Sequence, residues 1–107
     1  MLKIKLFLVF IDAFGGRKSL EGEMNERDEL YIRLPHVPPI GANLHLGGNM
    51  RCFRVTDVNY FAINGCGDEV LLHQVSVDAE YQSERQGDGF VRYDQVLQEL
   101  RDMLKSE

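Results

Sequence analysis

Residues 29–60 read ELYIRLPHVPPIGANLHLGGNMRCFRVTDVNY, and this stretch decides the fold. Apolar and polar side chains alternate in it, first at 30–34 and again from residue 44 onward, with the two-residue period of half-buried β-strands. Because proline has no N–H for a strand ladder, the prolines between the two runs end the first strand. These prolines are Pro35, Pro38 and Pro39. The stretch therefore predicts a set of paired strands.

The second alternating run contains a turn and a bend. Gly48-Asn49 lies between two alternating segments, which is typical of a tight hairpin and places His45 directly across from Cys52. The apolar phase then slips after Val55, and one extra residue at Thr56-Asp57 explains the slip as a β-bulge. A bulge bends its strand, and a bent strand lets a small sheet curl toward a barrel.

The chain begins with another alternating segment, which is predicted to be a strand. One of its faces carries Leu2, Ile4, Leu6, Leu8 and Phe10. The opposite face carries Lys3 and Lys5, followed by Phe7, Val9 and Ile11. An apolar second face needs its own cover, so the far half of this strand is predicted to lie against the C-terminal helix or another subunit.

The remaining segments complete a single domain. Residues 12–27 are rich in glycine and charge and show no sustained period, which predicts a long flexible loop. Residues 71–79 alternate as a last long strand, and 82–92 form a polar linker. The period then becomes helical, which predicts a C-terminal helix over 93–105.

These segments predict one mainly β domain over residues 1–107. Five antiparallel strands with a strongly bent middle strand would form a bent sheet or an open barrel. The expected architecture is Src-homology-3-like, with one C-terminal helix.

The central block also matches a recurrent pattern of turns. A strand ends in Leu-Pro, a Val-Pro-x-x-Gly turn follows, and a hairpin then closes on a Val-x-x-Val strand. The matching residues are Leu34-Pro35, Val37-Pro38, Gly41, Gly47-Gly48, Val55 and Val58. In this block the chain resembles short bacterial small-barrel proteins of unassigned function, some of which are encoded on mobile gene cassettes. The resemblance implies a small barrel and transfers no catalytic residue.

Composition and charge exclude several classes of protein. The chain has 107 residues and a formal net charge of -5, so a nucleic-acid or anionic membrane partner would need a local basic patch. The longest apolar run, 6–11, is far shorter than the ~20 residues that span a bilayer. Charged residues follow this run where a signal peptide would be cleaved. We therefore expect a cytoplasmic protein with no membrane partner, and nucleic acid is disfavoured as a partner.

Two motifs are only partly formed. Residues 15–19, GGRKS, are similar to a phosphate-binding loop, but Arg17 and Asp12 stand where that motif requires glycine. A solvated loop is expected instead, with loose anion contact by Arg17 and Lys18 as the alternative. His45 and Cys52 could share a metal only with a third ligand, and no ligand spacing supports one. We predict no cofactor, no metal site and no catalytic residue.

Three sets of residues are candidate binding sites. His73 lies on the apolar face of its strand and could face either the core or a ligand pocket. An aromatic and basic face for a ligand or single-stranded nucleic acid could be formed by Tyr31, Arg33 and Arg54. Apolar side chains in excess of what one short helix can cover predict an oligomer interface, and they are Phe7, Val9, Ile11, Phe61, Phe90 and Tyr93.

The function that the sequence favours is a non-enzymatic binding or adaptor module that self-associates as a homodimer. One alternative is a small-molecule-binding barrel with weak enzymatic activity centred on His73 and a cysteine. The other is a barrel that binds single-stranded nucleic acid.

Overall fold

A computed structural model describes residues 2–20, 30–64 and 70–105 of the chain. The described ranges contain eight strands and one helix. In chain order they are β1 (Leu2–Ile11), β2 (Arg17–Ser19), β3 (Leu30–Leu34), β4 (Asn43–Leu46), β5 (Arg51–Asn64), β6 (Val70–Gln82), β7 (Arg85–Gln86), β8 (Gly89–Phe90) and α1 (Tyr93–Lys105). In these ranges no helix is long and apolar enough to cross a membrane.

Six of the strands form one mixed sheet. Its order is β2–β1–β6–β5–β4, and β3 also pairs with β1. Strand β1 has β6 as a parallel neighbour on one side, while β3 and β2 pair antiparallel with successive parts of its other edge. The two pairs β4–β5 and β5–β6 are antiparallel. Strands β7 and β8 form a separate small hairpin.

The mainly β class and the C-terminal helix are confirmed, and α1 spans the residues expected to be helical. The sheet differs from the predicted set of five antiparallel strands, because β1 and β6 run parallel and the sheet is not closed in the described part of the chain. Alternation reports which face a side chain takes but not the direction of the neighbouring strand. Apolar side chains on both faces of β1 are typical of a central strand with a parallel neighbour.

The hairpin and the bulge are confirmed at the predicted positions. His45 lies opposite Cys52 in the β4–β5 pair. The register between β5 and β6 shifts between Val55 and Asp57, so one extra residue on β5 bends the strand there. A second register shift follows between Phe61 and Ala62, where His73 is the extra residue on β6.

Part of the predicted 12–27 loop is a strand. Arg17–Ser19 pair with Val9–Ile11, and Leu20 is fully buried. The turn that joins β1 to β2 is closed by Asp12, whose Oδ1 accepts hydrogen bonds from the N–H groups of Phe14 and Gly16, each at 2.8 Å. Residues 21–27 of the predicted loop lie outside the described residues.

The 82–92 segment is also more ordered than its composition predicts. It contains the β7–β8 hairpin, whose tip includes Gly87 at a φ of 60°. Strand β6 continues into it, because the Ser83 N–H donates to the Ile11 carbonyl at 2.8 Å. Such short polar hairpins are held by backbone hydrogen bonds and turn residues, so they leave no hydrophobic period in the sequence.

One face of the sheet, here called the helix face, is covered by α1. The helix contributes Val96, Leu97 and Leu100, which are buried, and half-buried Met103. The buried residues of the sheet that form this core include Ile4, Leu6, Leu8, Phe10, Phe53, Val55, Val75, Val77, Ala79 and Tyr81. The opposite face, here called the open face, carries the odd-numbered residues of β1 and has no helix against it among the described residues.

Candidate functional site

A cleft of about 510 Å³ lies at the end of the sheet where β1 and β6 finish. Three segments enclose it: the turn at 12–16 with the start of β2, the end of the β7–β8 hairpin, and the start of α1. Its lining residues are Phe10, Asp12, Ala13, Phe14, Gly16, Arg17, Lys18, Ser83, Phe90, Val91, Arg92 and Tyr93. Its volume is within the roughly 300–1,000 Å³ of small-molecule sites.

Hydrogen bonds fix the walls of the cleft. The Asp12 carboxylate holds the turn, and a Cβ added at Gly16 would lie 2.5 Å from Asp12 Oδ2, so a side chain there would displace this carboxylate. On the other wall, the Ser83 hydroxyl donates to the Val91 carbonyl at 2.7 Å, and the Val91 N–H donates to the Glu84 carbonyl at 2.9 Å. The site is therefore formed before any ligand arrives.

Aromatic rings form the apolar part of the cleft. Phe10 is buried and meets Tyr93 edge to face, with ring centroids 5.8 Å apart. The Tyr93 hydroxyl donates to the Ser19 carbonyl at 2.9 Å, which holds the start of α1 against β2. Phe14 is 98% exposed and Phe90 is 53% exposed, so two further rings are available for contact at the rim.

Positive charge dominates the polar part of the cleft. Among the described residues, Arg17, Lys18 and Arg92 line it together with one carboxylate, that of Asp12, which already accepts two backbone N–H groups. Arg17 forms an ion pair with Glu80, and the Lys18 ammonium lies 4.2 Å from the centroid of the Tyr93 ring. Within the described part of the chain, Arg92 has no ion-pair partner. A local excess of cations in an acidic chain favours an anionic ligand.

The structure brings together two of the three predicted aromatic and basic residues. Tyr31 and Arg33 lie opposite Lys5 and Lys3 on the open face, and the Lys3 ammonium is 4.4 Å from the Tyr31 ring centroid. Arg54 lies on β5, opposite Glu80 of β6. It is separated from Tyr31 by three strand spacings across the sheet and four residues along it, which together amount to about 20 Å. The side chain of His73 lies outside the described residues.

The six predicted interface residues fall in three places. Phe7, Val9 and Ile11 are half-buried on the open face, and Phe61 is 51% exposed near the end of β5. Phe90 and Tyr93 belong instead to the cleft. Their proximity to Arg17 and Lys18 follows from the tertiary fold, and no periodic feature of the sequence indicates it. The suggestion of anion contact by Arg17 and Lys18 is the only sequence signal that points to this site.

The remaining polar groups do not form a further cluster. Among the residues that the structure describes, no group of three or more His, Cys, Asp or Glu side chains could hold a metal ion. Cys52 is a half-buried free thiol. The described part of the cleft lining contains neither His nor Cys.

Comparison of the chain with protein-family models, with characterised proteins and with solved structures gives no match. The resemblance of residues 34–61 to small bacterial barrels stays a prediction.

A like-charge pair on the open face predicts a pH-dependent stability. Asp78 lies opposite Asp57 at the bulge, beside half-buried Phe7. Burial, and secondarily the charge of Asp57, raise the pKa of the Asp78 carboxyl. The folded state therefore holds this proton more tightly than the unfolded state does. The stability that Asp78 contributes to the wild-type protein is therefore present at low pH. It is lost as the pH rises from the ordinary aspartate pKa of about 3.9 through the raised pKa of Asp78 in the folded state.

We expect Asp78→Asn to stabilise the protein near neutral pH by about 0.2–1 kcal/mol, because it removes a partly buried charge and, with it, the cross-strand repulsion from Asp57. The gain should disappear as pH falls below the ordinary aspartate pKa, where the wild-type carboxyl is neutral in both states. Urea denaturation of both proteins across this range measures the difference. Asp88→Asn, at the exposed tip of the β7–β8 hairpin, is the matched control. A gain that is constant with pH would contradict this account.

Proposed function

We propose that the chain is a non-enzymatic binding module whose cleft accepts a small molecule with a ring-containing apolar body and an anionic group. The observation that supports this proposal most strongly is the composition of the cleft. Aromatic rings and cationic side chains face the same cavity of about 510 Å³ in a chain whose net charge is -5. Ligand sites of this kind are mostly apolar, with a few polar groups that fix orientation.

The cations of the cleft differ in how available they are to a ligand. Arg17 forms an ion pair with Glu80, so the positive charge of Arg17 is partly neutralised. Lys18 and Arg92 are both exposed and line the cleft from β2 and from the residue before α1. A ligand anion at this point would contact Arg92 and Lys18, while its apolar body would stack against Phe90 and Phe14.

The chemistry of the lining supports binding rather than catalysis. Nucleophilic catalysis requires a nucleophile within hydrogen-bond reach of a base. Among the described lining residues, Ser83 and Tyr93 carry hydroxyls, and each donates to a backbone carbonyl, that of Val91 and that of Ser19 respectively. The lining residues that the structure describes include no His, Cys or Glu that could act as a base, and their one carboxylate, Asp12, closes the 12–16 turn.

Two fluorescent probes of nearly the same shape test the proposal. The anionic probe 8-anilinonaphthalene-1-sulfonate has a ring body and a sulfonate, and N-phenyl-1-naphthylamine is its uncharged counterpart. We expect the sulfonate probe to bind at one saturable site per chain, and to bind about tenfold more tightly than the uncharged probe, which corresponds to ~1.4 kcal/mol for one charge-assisted contact. Equal affinities would contradict the role given to the cations.

Variants locate the site. Arg92→Glu should weaken binding of the sulfonate probe about tenfold or more and leave the uncharged probe unaffected, because it reverses one charge at the cleft. Phe90→Ala should weaken both probes, since it removes apolar contact. Arg33→Glu changes an exposed arginine on the open face, opposite Lys3 at the end of β1 away from the cleft, and serves as the control. If Arg33→Glu lowers affinity as much as Arg92→Glu does, the probe binds elsewhere.

A further inference from the structure

Within residues 2–20, 30–64 and 70–105, the outer segment of β5, residues 56–64, has a free strand edge. Strand β4 pairs with β5 only over 51–54, and the 41–42 loop extends this pairing to Val55 through two backbone hydrogen bonds of 2.8 Å. From residue 56 onward, β5 pairs with β6 on one side and has no strand on its other side within the described residues. This edge lies at the end of the sheet opposite the cleft.

The direction of the free peptide groups follows from the register. The backbone N–H and C=O of Val55 point away from β6 and bond to the 41–42 loop, and the Val55 side chain lies on the helix face. Peptide groups and side chains alternate together along a strand, so Val58 and Tyr60, which share that face, also direct their N–H and C=O groups away from β6. The Val58 N–H is satisfied by Asp57 Oδ1 at 3.0 Å. The outward groups of Tyr60 have no partner in the described part of the chain.

This edge lacks the usual protection against pairing. Natural edge strands are short, or they carry lysine, proline or a bulge. The segment TDVNYFAIN has one charged residue, Asp57, and contains neither lysine nor proline. The extra residue that β5 itself carries lies at the inner end, next to β4, and the second register shift, between Phe61 and Ala62, places its extra residue on β6 and not on this edge. Tyr60 is 62% exposed on the helix face, and Phe61 is 51% exposed on the open face.

The helix is too short to cover this segment. With 13 residues, α1 is about 20 Å long. Strand β5 has 14 residues and extends about 46 Å. Val58 still packs against the core, but Tyr60 and Phe61 beyond it are 62% and 51% exposed, so both aromatic side chains are available to another partner.

We propose that this edge pairs with the same edge of a second copy of the chain, antiparallel, about a two-fold axis at Tyr60. Pairing of an edge with itself about a two-fold axis closes at two copies, so it forms a dimer and not a filament. In this register Asp57 lies opposite residue 63 of the second copy, an isoleucine, and no like charges oppose each other. The two Tyr60 side chains become a directly opposed cross-strand aromatic pair, which is a stabilising arrangement.

Self-pairing favours a second copy over an unrelated peptide because the edge is complementary to itself. The strand addition supplies backbone hydrogen bonds, and the side chains at the axis supply the register. The proposal does not depend on the cleft, and ligand binding and dimerisation are measured separately.

Cross-linking at the axis tests the proposal. In a Cys52→Ser, Cys66→Ser background, Tyr60→Cys would place two thiols on an opposed hydrogen-bonded pair, whose Cα atoms are about 5.5 Å apart, within the range that a disulfide spans. We expect mild oxidation to give a covalent dimer at micromolar concentration. Phe14→Cys, which is 98% exposed at the other end of the sheet, is the matched control and should stay monomeric. Equal cross-linking of the two variants would overturn the proposal.

Analytical ultracentrifugation supplies the second measurement. The wild-type chain should sediment as a dimer, and Tyr60→Lys should raise the dissociation constant about tenfold or more, because it opposes two ammonium groups at the axis. Circular dichroism checks that the variant keeps its sheet. A wild-type chain that sediments as a monomer up to high micromolar concentration would overturn the proposal, as would a dimer that Tyr60→Lys leaves unchanged.

Discussion

We expect Phe53→Ala to lower the free energy of unfolding by about 3–5 kcal/mol, the usual cost of removing a buried phenylalanine ring. Phe53 is fully buried on the helix face of β5. Its ring lies 5.5 Å from that of Tyr81 on β6, and Leu44 is its neighbour on β4. The substitution would leave a cavity where three strands and the helix meet, and the surrounding backbone is too constrained by strand pairing to fill it.

Urea denaturation at a fixed protein concentration measures this change, since coupling to dimerisation would make stability depend on concentration. Phe14→Ala is the control, because that ring is 98% exposed and its loss should change stability by no more than about 0.5 kcal/mol. A loss below about 1 kcal/mol for Phe53→Ala would contradict the burial of this ring in the core.

The second large effect is expected at the ion pair that joins α1 to β5. Arg51 binds Glu99 through two hydrogen bonds, Nε to Oε2 at 3.0 Å and Nη2 to Oε1 at 3.2 Å. Their side chains are 14% and 12% exposed, so the pair is largely removed from water. Asn49 also donates to Glu99, and Gly47 lies against the backbone of that helix residue. Removing Arg51 would leave a carboxylate in this half-enclosed site without its main partner.

Arg51→Ala should therefore destabilise the protein by about 2–3 kcal/mol. The double variant with Glu99→Ala should lose less than the sum of the single losses, because the unpaired charge is then absent. Arg17 and Glu80 form the matched surface pair, with side chains 58% and 23% exposed, and the same cycle there should give less than about 1 kcal/mol. Similar coupling energies for the two pairs would contradict the burial assigned to Arg51 and Glu99.

Local features of the fold were predictable from the sequence because they depend on neighbouring residues. The hairpin register that sets His45 against Cys52, the bulge after Val55 and the span of α1 each follow from spacing, turn residues or a change of period. The parallel pairing of β1 with β6 was not predictable, since it joins segments about seventy residues apart. Alternation in each strand is the same for parallel and antiparallel neighbours.

The candidate site was less predictable than the fold. Phe90 and Tyr93 have the apolar character of interface residues, and from the sequence they were predicted to lie in an oligomer interface. Only the fold shows that the β7–β8 hairpin and the start of α1 lie beside the turn at 12–16. The basic residues of the cleft come from positions 17–18 and 92, and no sequence periodicity connects them.

The two proposed binding regions lie at opposite ends of the sheet. Strand β6 runs from the outer segment of β5 at Val70 to the cleft beside Ser83, over 13 residues or about 43 Å. A dimer joined at Tyr60 would therefore place its two clefts at its far ends, both open to solvent. The two proposals are compatible, and the variants that test one are remote from the other.

The claim that this chain is a module for small apolar anions rests on the cleft. Backbone amide NMR shifts recorded during titration with 8-anilinonaphthalene-1-sulfonate test it most directly. We predict saturable shift changes confined to residues 10–18 and 83–93, with the rest of the sheet unaffected. Changes centred on the open face around Tyr31 and Arg33, or a titration that never saturates, would contradict the proposed site.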